Sequence, residues 1–134
     1  MDLSAINWLA VILAAIAAFL VGAVWYSPLL FAKAWQREVG LSDAALAQGS
    51  MAKTMGGAFA LTLVSTLVFH MFLGPRPPVG FAAGAGFAAG LCWVAFAKGV
   101  DYLFERRSLR LFLINGGHHT AAYTVMGLVL ALLG

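Results

Sequence analysis

Asn115, His118, His119 and Tyr123 bring polar, proton-carrying side chains into an otherwise apolar stretch of this sequence. The i, i+3 and i+4 spacing puts Asn115, His118 and His119 on one helical face, with Tyr123 four residues past His119. An imidazole can exchange a proton near neutral pH, and an amide or phenol can orient it by hydrogen bonding. Three readings follow: hydrogen bonds that hold helices together, a proton or ligand site, or a metal site. The metal reading is the weakest. Neighbouring side chains on a helix diverge by about 100°, and two histidines need a third ligand. No resident metal or other cofactor is expected.

A second set, Lys98, Asp101 and Glu105, lies at i, i+3 and i+7 where an apolar run ends. The spacing allows a Lys98–Asp101 ion pair, and Arg106, Arg107 and Arg110 are close enough in sequence to join it. Lys98 can also snorkel to a membrane interface. The set reads as an ion-pair network or a gating cluster at the mouth of a bundle. A third set is small: Gly80 and Gly84 form one four-spaced row, and Gly86 and Gly90 form another. Such rows let helix backbones approach closely. Gly116, Gly117, Thr120, Thr124 and Gly127 can supply the facing surface.

The elements that must carry these residues follow from composition. Of 134 residues, 63% are hydrophobic and 10% are charged, and the mean hydropathy is +0.94. A soluble domain has about 25% charged residues, so too little polar surface is available to coat a water-soluble globule. Soluble enzymes, nucleic-acid modules and disordered tails are excluded. The +3 net charge does not reopen the nucleic-acid reading, because the basic residues sit in short connectors rather than along one solvated face. The single Cys92 lies in an apolar run and reads as a small buried hydrophobe. No basic n-region precedes the first run, so that run is expected to remain in the mature chain.

Four hydrophobic runs are each long enough to cross a hydrocarbon core of about 30 Å. The expected helices cover approximately 6–26, 54–73, 79–98 and 110–133, joined by a connector at 32–53. The whole chain, 1–134, is thus expected to be a single all-α integral membrane domain, a four-helix bundle in a bilayer of bacterial inner-membrane type. Pro28 crowds the Val24 carbonyl and ends or kinks the first run. Ser27 is placed to take up the carbonyl so freed. Pro75, Pro77 and Pro78 stop the second run. Ser42 before Asp43 marks a short capped helix in the first connector. Trp35, between Lys33 and Arg37, reads as an interfacial aromatic. His70, near the end of the second run, also reads as interfacial.

Seven of the eight basic residues lie in the first and third connectors, and Arg76 alone lies in the second. By the positive-inside rule both termini face outward and the two basic connectors are cytoplasmic. Trp25 and Tyr26 then read as interfacial aromatics on the cytoplasmic side, and with Ser27 they stand at the cytoplasmic mouth, near Lys98, Asp101 and Glu105.

The segment Trp25-Tyr26-Ser27-Pro28-Leu29-Leu30-Phe31-Ala32-Lys33-Ala34-Trp35 carries a resemblance. So do Tyr102-Leu103-Phe104-Glu105-Arg106-Arg107-Ser108 and Leu111-Phe112-Leu113-Ile114-Asn115-Gly116-Gly117-His118-His119. Over essentially its whole length the chain resembles the family known as domain of unknown function 1761. That resemblance implies a small polytopic helical protein and brings no activity with it. Asn115 and His119 fall where the family pattern carries asparagine and histidine, and His118 falls where an aromatic is more usual.

No HExxH or GxSxG motif, cysteine pair or intramembrane carboxylate cluster supports an enzyme. The expected function is an oligomeric pore or transporter-like passage for a small solute or ion. Its expected partners are the lipid bilayer and further copies of the chain, with no nucleic acid. The alternative is a structural or accessory membrane subunit without transport activity.

Overall fold

In the computed structural model, which describes residues 3–134, each helix starts and stops at residues with a physical reason to do so. Helix α1 (Trp8–Trp25) is capped by Asn7, whose side chain accepts the Ala10 amide at 3.1 Å. It ends just before Pro28, and the Ser27 hydroxyl donates to the Val24 carbonyl at 2.7 Å, the group that the proline ring crowds. Helix α2 (Ala32–Val39) stops at Gly40 in the left-handed conformation. Ser42 caps the short helix α3 (Asp43–Ala47), and Ser50 caps α4 (Met51–Leu73). Helix α5 (Val79–Glu105) follows the proline-rich turn, and Ser108 caps α6 (Leu109–Leu133). Among the described residues there is no strand.

Two boundaries differ from the sequence reading. Helix α4 begins at Met51 rather than 54, because the Ser50 hydroxyl accepts the Lys53 amide at 3.2 Å and starts the helix a turn earlier. Helix α5 runs past Lys98 to Glu105, since no proline or glycine turn interrupts it before Arg106 takes a positive φ of 59°. Within α5, Ala89–Ala95 is wound as π-helix. Alanine and glycine spacing gives no sign of this change of winding.

Helix α6 is the hub. It packs along α5 and along α1, while α1 also packs on α4. The core is an alanine stripe on α1, with Ala10, Ala14 and Ala18 beside Val11, closed by Ala122, Met126 and Leu130 of α6. Small α1 side chains permit a close crossing, so packing rather than bulk holds the pair. Gly86 and Gly90 of α5 meet α6 backbone: a Cβ on Gly86 would run into the Tyr123 carbonyl, and one on Gly90 would stand 2.6 Å from that of His119. Gly127 meets the Ala82 carbonyl in the same way. Gly80 and Gly84 do not share in this contact, and no neighbouring atom lies within 4 Å of a Cβ at either. Residues two apart on a helix point about 200° apart, so one neighbour can take only one of the rows.

The outer surface is apolar. Leu61 and Trp93 are each 74% exposed and Phe104 is 86% exposed. A soluble monomer rarely shows contiguous apolar area on this scale. Helices α1, α4 and α5 are long and apolar enough to cross a membrane, which is compatible with a multi-pass membrane protein. Helix α6 has 25 residues, but Asn115, His118, His119, Thr120, Tyr123 and Thr124 keep it out of that set. Cys92 is exposed on α5 rather than buried, because its side of that helix faces away from α6.

Candidate functional site

The polar centre forms where the end of α1 crosses the first half of α6. By helical rise His119 stands about 15 Å into α6. Tyr26 donates its hydroxyl to Asn115 Oδ1 at 2.6 Å, and Asn115 Nδ2 donates to the Tyr102 hydroxyl at 2.7 Å. One amide thus joins the end of α1, the last turns of α5 and α6. Trp25 adds a second tie, its indole Nε1 donating to the Ile114 carbonyl at 2.8 Å. Gly117 makes room for that ring, since a Cβ there would stand 2.8 Å from Trp25 Cζ2. Trp25 and Tyr26 are therefore half-buried between helices rather than interfacial. Aromatic residues with one polar atom serve both placements, and only the facing glycine and amide distinguish them.

The two histidines are held differently. The His118 ring lies between Tyr26, at a centroid distance of 5.1 Å, and His119, at 4.8 Å. Adjacent in sequence, the two rings converge despite the angular divergence of neighbouring helical positions. The Gly22 backbone forms the floor under His118, with Nε2 only 3.0 Å from a Cβ built there. Among the described residues neither imidazole makes a hydrogen bond; His118 Nδ1 is buried without a partner, as is Nδ1 of His70 at the other end of the bundle. The Tyr26, Asn115 and Tyr102 groups satisfy one another, while the histidines keep their donor and acceptor atoms unused. Tyr123 is turned towards α4, its ring edge-on to Phe69 at 5.9 Å.

The charged set divides: Lys98 stays within electrostatic reach of both imidazoles, and the two carboxylates do not join it there. Asp101 and Glu105 are exposed, and the expected Lys98–Asp101 pair does not form among the described residues. Arg110 instead approaches Glu38 of α2 at 3.9 Å, and Ser108 donates to the same carboxylate at 2.8 Å. The α2 carboxylate competes for these partners because both basic connectors lie at one end of the bundle. Ser27 spends its hydroxyl on the Val24 carbonyl. Among the described residues no three His, Cys, Asp or Glu side chains gather as a metal site.

Two residues of consequence escaped the sequence reading. Tyr102 closes the Asn115 network, and its i, i+4 relation to Lys98 was the available signal. His70, expected at an interface, is 3% exposed. Its Nε2 accepts the Asn7 amide at 3.2 Å, while Asn7 Nδ2 donates to the Leu133 carbonyl at 3.0 Å. Asn7 thereby ties α1, α4 and α6 at the end opposite to Tyr26. Burial follows because α1 begins directly over the last turn of α4.

No curated protein and no solved structure matches the chain. A family model described as a protein of unknown function, DUF1761, matches residues 9–131. The match takes in the Trp25–Tyr26 block, Tyr102 and the Asn115–His119 segment, and the chain belongs to that family.

Proposed function

We propose that this is a four-span membrane protein whose His118–His119 pair handles a small solute or ion, the proton being the ion best suited to two imidazoles. The single observation that carries the reading is the unequal satisfaction of the polar centre. An intramembrane polar group that serves only as glue should spend its hydrogen bonds on other helices, as Asn115 does. The histidines do not spend theirs, and an unpaired polar atom at that depth is costly unless something else uses it. The π-wound segment of α5 lies, through Gly90, against the backbone of His119 and Thr120, and such segments recur at functional sites.

In this reading α1, α4, α5 and α6 all cross the bilayer, with the polar face of α6 turned inward. Both termini lie outside, and both basic connectors lie on the cytoplasmic side of a bacterial inner-membrane type bilayer. The Glu38 contacts with Ser108 and Arg110 support the placement of those connectors at one end. One bundle is too thin to enclose a wide path, so the passage is assembled from several copies. Flux measured on purified protein in liposomes, with and without His119→Gln, tests the reading.

A second reading, an accessory subunit without transport, has the interhelical Tyr26–Asn115–Tyr102 hydrogen-bond chain in its favour. It expects no flux from the parent protein, and loss of a partner when α6 is altered.

A further inference from the structure

Beside Tyr26 lies a cavity of about 720 Å³, walled by the end of α1, α2, residues 45–50 and the start of α4. It is distinct from the histidine pair, and nothing in the function proposed above uses it. Gly49, at a φ of +90°, turns the chain so that α4 starts away from α2 and leaves the space between them. A hydrogen bond of 2.7 Å from Gln36 to Asp43 holds α2 against α3 and keeps the wall in place.

The lining has a definite chemical character. Tyr26 and Trp35 meet edge-to-face at 6.2 Å, and Met51 and Met55 provide an adaptable apolar side. Gln36 and Thr54 offer hydrogen-bonding groups. No charged side chain lines the space, although Lys33, Arg37 and Lys53 each follow or precede a lining residue in sequence. Asp43 is engaged by Gln36, and Glu38 by Ser108 and Arg110, outside the cavity. A charged ligand would therefore find no counter-charge in this wall. The volume suits a molecule of drug size. Met51 and Met55 of the wall are 66% and 47% exposed, so the apolar side of the space continues to the outer surface. A ligand with an apolar extension can therefore keep its head in the cavity and its tail along the helices.

We propose that this cavity is a binding site for an uncharged, ring-bearing amphiphile with a hydrogen-bonding head. The site does not depend on the reading of the histidines, although Tyr26 belongs to both.

The test uses 1-aminoanthracene, an uncharged ring compound whose emission rises in apolar surroundings, titrated into the purified chain in detergent against a detergent blank. Saturable binding is expected in the parent and, unchanged, in His119→Gln. Filling the cavity by Ala32→Phe or by Ala47→Phe, each at a wall position, should weaken binding by about tenfold or more. The matched anion, 1-anthracenecarboxylate, should bind at least about tenfold more weakly than the amine. Binding that survives both filling variants overturns the location. An anion bound as tightly as the amine overturns the ligand class and points instead to Lys33, Arg37 and Lys53.

Discussion

Gly22 of α1 and the His118 imidazole of α6 are in direct contact, with Nε2 3.0 Å from the place where a Cβ on Gly22 would stand. A methyl group there meets only the far end of a movable side chain. Gly22→Ala should therefore change thermal stability in detergent by less than about 1 kcal/mol. It should also displace the ring, and the His118 side-chain resonances should shift while those of Asn115 stay in place. Unchanged His118 resonances would remove the glycine floor from the account.

Asn115 is the joint of the polar centre, so its loss should exceed that of either tyrosine hydroxyl. Tyr26→Phe and Tyr102→Phe should each cost about 0.5–1.5 kcal/mol of stability, in line with interhelical hydrogen bonds in membranes. Asn115→Leu should cost more, because both hydroxyls lose their partner. A double-mutant cycle between Tyr26→Phe and Tyr102→Phe should show non-additivity. Additive losses would mean that the two bonds are not coupled through one amide.

The two glycine rows of α5 should part company. Gly86→Leu forces side-chain atoms into the Tyr123 carbonyl and should prevent α5 from docking on α6. Gly84→Leu enters open space and should be tolerated. Thermal unfolding of the two variants compares them directly, and equal loss would contradict the observed packing.

At the opposite end, Asn7→Ala removes both a helix cap and the bond to the Leu133 carbonyl. A cap alone is worth about 1 kcal/mol, and the cross-helix bond adds to it. His70→Gln should keep an acceptor for the Asn7 amide and be milder than His70→Leu. The order of the melting temperatures, parent above Gln above Leu, is the check.

Much of the frame is legible in the sequence because it rests on local chemistry. Asn115 and His119 could be singled out as polar residues in an apolar run, and Pro28, Ser27 and Ser42 act through neighbours in the chain. The membrane-length runs follow from composition alone. What could not be read depends on which faces meet. The sequence contains two equivalent glycine rows, and only the position of α6 decides that Gly86 and Gly90 are used. Trp25, Tyr26 and His70 were expected at interfaces because their types suit an interface, yet Gly117, Asn115 and Asn7 bury them through contacts far apart in the chain. The Lys98–Asp101 spacing was permissive, and distance in the fold, not spacing, gave Arg110 to Glu38.

The central claim is that His118 and His119 are there to be used rather than to hold α6 in place. The most direct measurement is proton flux into liposomes carrying the purified chain, read by an entrapped pH-sensitive dye after an imposed gradient. The account predicts a parent rate above that of empty liposomes. His119→Gln and His118→Gln should fall to the empty-liposome rate while melting within about 1 kcal/mol of the parent, since neither ring makes a hydrogen bond to the described residues. A parent rate no different from empty liposomes, or variants as fast as the parent, would contradict it.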